Sequence, residues 1–199
     1  MCYWQPSAKN QAFRDYVELT TQLYHELFVA QAAAHRGAAR VPKVFVVDAL
    51  KYVMQGWENR SFFEPTRSWP LAYHDMLAAA GNVAVAKLLE SDAIDGIIVP
   101  HDYQARGRGG VYLPESGPES CLLRGKIFFS EMDTRTYTAD KDRISNARDD
   151  REFAAVTWRN LAASITGGYQ SYWMDVFEDW FASPGIHELV HEQAKVNNQ

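Results

Sequence analysis

Residues 126–136 read KIFFSEMDTRT, and the choice of fold turns on this stretch. It opens as an apolar, β-prone run of Ile127, Phe128 and Phe129, then turns abruptly to charge at Glu131, Asp133 and Arg135. A short buried strand that delivers acidic residues at its C-terminal end is how (β/α) barrels build their active faces. If the extended geometry persists, alternation places Glu131, Asp133 and Arg135 on one face. The plainer reading is a strand running into a polar loop, with Asp133 and Arg135 as a local ion pair.

Upstream, residues 6–36 carry Phe13, Val17, Leu23, Leu27 and Phe28 at helical spacing, with Ser7 as N-cap and Gly37 as stop, and read as one long helix. Residues 41–50, VPKVFVVDAL, form a Val/Phe run ending in Asp48 and read as a strand buried on both faces. Residues 51–70 hold Trp57, Phe62, Phe63 and Trp69 and read as a long loop, functional or disordered. Residues 71–91 return to helix. Residues 94–103, IDGIIVPHDY, read as a second buried strand ending in His101, Asp102 and Tyr103. A Gly/Arg-rich loop at 105–110 and a Pro/Ser/Glu-rich loop to residue 120 lead into the third strand.

Downstream, residues 137–150 are polar and loop-like, and 151–165 are helical until Gly167 and Gly168 break the pattern. A fourth strand over 169–174 ends at Asp175, and a last helix covers 184–196. The order is a long helix and then four β-loop-α units, which implies a parallel sheet with right-handed crossovers. Four strands are half of an eight-stranded barrel, whose full domain takes about 250 residues. The chain is therefore expected to be one domain, 1–199, forming a partial (β/α)8 barrel.

Composition narrows the function. The 199 residues are 47% hydrophobic and carry a net charge of -5, which offers nucleic acid no basic footprint. No apolar run approaches the ~20 residues that span a bilayer, and the N-terminus has no hydrophobic signal region. Cys2 and Cys121 lack metal-ligand or disulfide-framework spacing and fit a reducing compartment such as the cytoplasm. His187 and His191 are four apart but have no evident third ligand, so no metal site is expected. The loop ARGRGG lacks the Gly-Lys-Ser/Thr ending of a phosphate-binding loop. No phosphate-cradling loop follows the first strand either, which disfavours a flavodoxin-like domain.

In order and spacing, LLESDAIDGIIVPHDYQARGRGG, PESCLLRGKIFFSEMDTRT and GGYQSYWMD resemble the C-terminal half of a glycosidase barrel. The group is the β-galactosidase-like one around glycoside hydrolase family 42, and the resemblance spans residues 13–196. It implies that the four strands are the fifth to eighth of a (β/α)8 barrel, and it puts Glu131 on the nucleophile position. The family's acid/base, an Asn-Glu pair on the fourth strand, has no counterpart in this sequence. The implied function is that of a retaining β-galactosidase-like catalytic fragment without metal or organic cofactor; the alternative is a non-catalytic carbohydrate-binding remnant.

Around Glu131, the expected sugar wall draws on Tyr103, Arg106, Asp133, Arg135, Trp173 and Asp175. Asp133 and Arg135 read mainly as a pair that orients the strand end. Trp173 is either a stacking platform or a core tryptophan, and Asp175 either binds sugar hydroxyls or caps a helix. The implied partners are a β-galactoside or related β-glycoside, and a protein partner for the open sheet edges. That partner is a second copy or a complementary N-terminal half-barrel.

Overall fold

The computed structural model describes residues 11–42, 44–48, 85–101, 107–112, 114, 116–138, 147–175 and 179–199. Nine elements follow one another among them. These are α1 (Gln11–Ala38), β1 (Val46–Asp48), α2 (Val85–Glu90), β2 (Gly96–Pro100), α3 (Pro118–Leu122), β3 (Ile127–Met132), α4 (Asp150–Gly167), β4 (Gln170–Trp173) and α5 (Pro184–Asn197). The class is mixed α/β, and the four strands form one parallel sheet in the order β1-β2-β3-β4. Sequential order of this kind is what successive β-loop-α units in a single winding sense produce. The expected loop 51–70, the helix start at 71 and the residues Asp102, Tyr103 and Arg106 lie outside the described residues.

The chain divides into two compact units. The first comprises Met1–Ile97 and Ser120–Ile127. Its core is aliphatic: Ala32 of α1, Val47 of β1, Leu88 of α2 and Ile94, with Phe28, Phe45 and Ala93 packed around them. The strand here is shorter than the Val/Phe run at 41–50. Val41 and Val44 are exposed, and Pro42, having no N–H, has no donor for a ladder there.

Asp95 fastens the start of β2. Its Oδ2 takes the Arg36 guanidinium and the Phe45 N–H, each at 2.6 Å, while its backbone N–H donates to the Phe45 carbonyl at 2.8 Å. Burial pushes the Asp95 carboxyl up, but the Phe45 N–H, Arg36 and Lys126 outweigh it, and the carboxyl lies below its ordinary value. Lys126 Nζ donates to the carbonyls of Ser91 and Ile94 at 2.9 and 2.8 Å. Next to Asp95, a Cβ on Gly96 would come within 2.1 Å of the Ile127 carbonyl oxygen, so the two strand starts meet only because this residue has none.

The second unit comprises Ile98–Glu119 and Phe128–Gln199. Helix α4 starts where the sequence puts it, because Asp149 is its N-cap: Oδ1 accepts the Glu152 N–H at 2.8 Å, and Glu152 reaches back to the Arg148 N–H at 2.7 Å. Gly168, with φ 76°, ends it in a left-handed cap. The core is aromatic, with Phe153, Trp180, Phe181 and Ile186 buried and Tyr137, Trp173, Leu189 and Val190 against them. α3, a single turn with Pro118 at its start that leads into the first unit's stretch Ser120–Ile127, stands where the sequence reads as loop. Gly125 (φ 64°) lies in the turn after it, whose backbone bonds run from Arg124 and Gly125 back to Cys121 and Leu122.

Candidate functional site

Strand β3 alternates strictly. Phe128, Ser130 and Met132 are buried, while Ile127, Phe129 and Glu131 are half-buried on the other face. β3 and β4 run parallel in the register Ser130↔Ser171, Glu131↔Tyr172 and Met132↔Trp173. The face of Ser130 and Ser171 meets α4: Ser171 Oγ donates to Ser164 Oγ at 2.7 Å, and Tyr112 donates to Ser130 at 2.8 Å. Trp173 shares this face and donates through Nε1 to Gln193 of α5 at 3.0 Å; Gln193 in turn donates to Thr157 at 2.7 Å. Alternation therefore turns Glu131 and Tyr172 to the opposite face, away from α4 and α5.

On that face Glu131 and Tyr172 are paired. The Tyr172 hydroxyl donates to Glu131 Oε2, as the direct cross-strand register demands. A phenol has a proton to give and a carboxylate only lone pairs to receive it, so the bond fixes the carboxylate's orientation and steadies its charge. Tyr172 is absent from the site as read from the sequence. Its one signal is its place on the neighbouring strand, which becomes meaningful only once the register is known.

The remaining expected site residues divide. Asp133 and Arg135 are buried just past the end of β3, where every residue from 132 to 136 is buried and the two-residue alternation stops. The three charges thus do not continue as one strand face. The Arg135 guanidinium lies over the Trp180 ring, 5.0 Å from its centroid, and its carbonyl accepts the Ala147 N–H at 2.9 Å.

Asp175 accepts the N–H groups of Trp180 and Phe181, at 3.2 and 3.3 Å, one on each carboxylate oxygen. These bonds tie a loop rather than cap a helix, since the next helix, α5, has Ser183 as its N-cap. Trp173, with its indole N–H on Gln193 and its ring in the aromatic core, displays the core reading. His101 is buried, bonded through Nδ1 to Asn160 Nδ2 of α4 at 3.2 Å and set edge-on to Tyr112.

One further carboxylate ends a strand. Asp48 closes β1, and desolvation pushes its carboxyl from 3.8 up to about 6, although the residue keeps an exposed edge. Among the described residues no group of three or more His, Cys, Asp or Glu side chains is arranged to hold a metal ion, and no helix is long and apolar enough to cross a membrane.

The fold and this site define a parallel α/β protein with an acid–phenol pair across two neighbouring strands, β3 and β4. Compared with protein families, with characterised proteins and with solved structures, the chain gives no match.

Proposed function

We propose that the chain is the nucleophile-bearing portion of a retaining glycosidase that acts on a terminal β-galactoside or a related β-glycoside. The observation that carries this reading is Glu131: a carboxylate near the C-terminal end of a central parallel strand, turned away from the helices and held by the Tyr172 hydroxyl. Strand ends of that kind are where (β/α) barrels keep their chemistry, and the sequential order β1-β2-β3-β4 suits a barrel segment better than a doubly wound sheet.

In such a reaction a Glu131 oxygen attacks the anomeric carbon. The bond to the leaving oxygen breaks with its electron pair, and a glycosyl ester remains until water cleaves it. Full turnover needs a second carboxyl group about 5–5.5 Å away to protonate the leaving group, and the family's motif for it has no counterpart here. A non-catalytic carbohydrate-binding remnant is the alternative, and this missing motif is what favours it.

The test is the intact mass of the chain after incubation with a 2,4-dinitrophenyl β-galactoside. Its phenolate leaves with little help from an acid, so the glycosyl ester is expected to form and, without a base to activate water, to accumulate. The adduct should be absent from Glu131→Gln. No adduct from the wild type across several β-glycosides would refute the nucleophile reading, and sugar binding without an adduct would establish the remnant.

A further inference from the structure

Helix α1 is apolar on two opposite faces. One is spent on the core of its own unit through Phe28 and Ala32. Leu23 precedes Ala32 by nine residues, so at about 100° per residue it lies about 180° around the axis. Leu23 is 54% exposed, as are Tyr16 (56%), Leu19 (56%) and Leu27 (51%). Ala12, Ala30 and Ala34 extend the same stripe and are exposed too. The stripe runs about 33 Å along the helix. Its repeat of 11 residues, from 12 to 23 to 34, keeps it on one side of an almost straight helix.

The stripe is a palindrome about Leu23. Leu19 and Leu27 stand four residues to either side, Tyr16 and Ala30 seven, and Ala12 and Ala34 eleven. Two such helices laid antiparallel about a two-fold axis at Leu23 match throughout. Leu23 meets Leu23, Leu19 meets Leu27, the bulky Tyr16 meets the small Ala30, and Ala12 meets Ala34. A parallel pair would set tyrosine on tyrosine and leave a gap between alanines. Gln22 and Glu26 border the stripe, bonded to each other at 2.7 Å; the antiparallel pairing brings each amide beside the other helix's carboxylate rather than setting acid on acid. We propose that α1 is a homodimer interface, and that its occupant is the α1 of a second copy of this chain.

Self-complementarity is the requirement of an isologous contact, and exposed apolar stripes of this extent mark interaction surfaces. Four half-exposed large side chains and three alanines cover roughly half of the ~800 Å² per partner of a standard interface. The dimer is accordingly expected to dissociate in the micromolar range. The proposal rests on α1 alone and not on the glycosidase reading.

Sedimentation equilibrium of the full chain should show a monomer–dimer equilibrium. Leu23→Glu, which sets two carboxylates on the axis, should weaken it by about 100-fold or more while leaving the circular dichroism unchanged, and the Tm unchanged when both proteins are read as monomers below the dissociation constant, because the position is exposed. In a Cys2→Ser background, Leu23→Cys should cross-link to itself on oxidation. Leu19→Cys and Leu27→Cys should cross-link to each other when mixed, and neither to itself. A monomeric wild type would overturn the proposal, as would association that Leu23→Glu leaves intact. A monomer whose Tm falls with Leu23→Glu would also overturn it, since another part of the same chain would then cover the stripe.

Discussion

Asp95 and Asp48 belong to the same compact unit, yet their surroundings act in opposite directions. Asp95, just before β2, is tied by a guanidinium, a backbone N–H and a nearby lysine, and its carboxyl lies below the ordinary range. Asp48, at the end of β1, is desolvated, and its carboxyl rises to about 6. In the second unit Glu131, one residue from the end of β3, sides with the strand ends: it is bonded to one phenol and faces away from the helices. Asp95 before a strand is thus held by a cation and a backbone N–H, Asp48 at a strand end is desolvated and Glu131 takes a phenol, whereas Asp175 beyond β4 is tied by two backbone N–H groups.

The contrast can be broken most severely at Gly96. A Cβ there meets the Ile127 backbone oxygen at 2.1 Å, and backbone cannot swing aside as a side chain can. Gly96→Ala should therefore cost about 3 kcal/mol, read as a lower midpoint in urea unfolding at unchanged m-value. A wild-type midpoint would mean that the strand starts are not fastened as described.

At a strand end the effect should fall on rate instead. Tyr172→Phe removes the hydrogen bond to Glu131 and should slow adduct formation from the dinitrophenyl galactoside about tenfold, with Tm unchanged within about 1 °C. A fall in Tm with an unaltered rate would make the pair structural.

The smallest effects distinguish the two aspartates by pH. With its folded-state carboxyl lowered, Asp95 stabilises the fold above its ordinary value of 3.8, and that stability is lost as pH falls through its folded-state value. Asp95→Asn should cost about 1 kcal/mol at pH 7, given its partial exposure, and progressively less below pH 4. Asp48 has the opposite sign. Raised to about 6, its ionised form is disfavoured by the fold, so stability is gained as pH falls from 7 toward 4. Asp48→Asn should stabilise the chain by up to about 1 kcal/mol at pH 7 and have no effect near pH 4. Chemical unfolding at the two pH values checks both, and equal behaviour of the two variants would erase the comparison.

What could be read from the sequence was whatever depends on near neighbours. The four strands announce themselves as short apolar runs, and α4 by its helical pattern and by Gly167 and Gly168 behind it. The β1 strand starts later than its Val/Phe run because the Phe45 N–H goes to the Asp95 carboxylate rather than to a strand partner, which apolar composition does not foretell. α3 escaped notice because one turn among Pro, Ser and Gly has too few residues to show a period. At the candidate site, Glu131 was legible from its place at the end of an apolar run. Tyr172 was not, since only the register of two strands 41 residues apart in the chain places it opposite. Trp173 and Asp175 each kept two readings for the same reason: the partners of each, Gln193 or Trp180 and Phe181, are not connected to them by local sequence.

The order β1-β2-β3-β4 also bears on how such a chain can change over evolutionary time. Among the described residues every strand pairs with its neighbour in sequence, so none of these units is threaded between two others that came before it. A terminal β/α unit can then be gained, lost or exchanged by a single genetic join, leaving all interior pairings as they were. A doubly wound sheet, whose first strand lies in the middle, has no such freedom at that end.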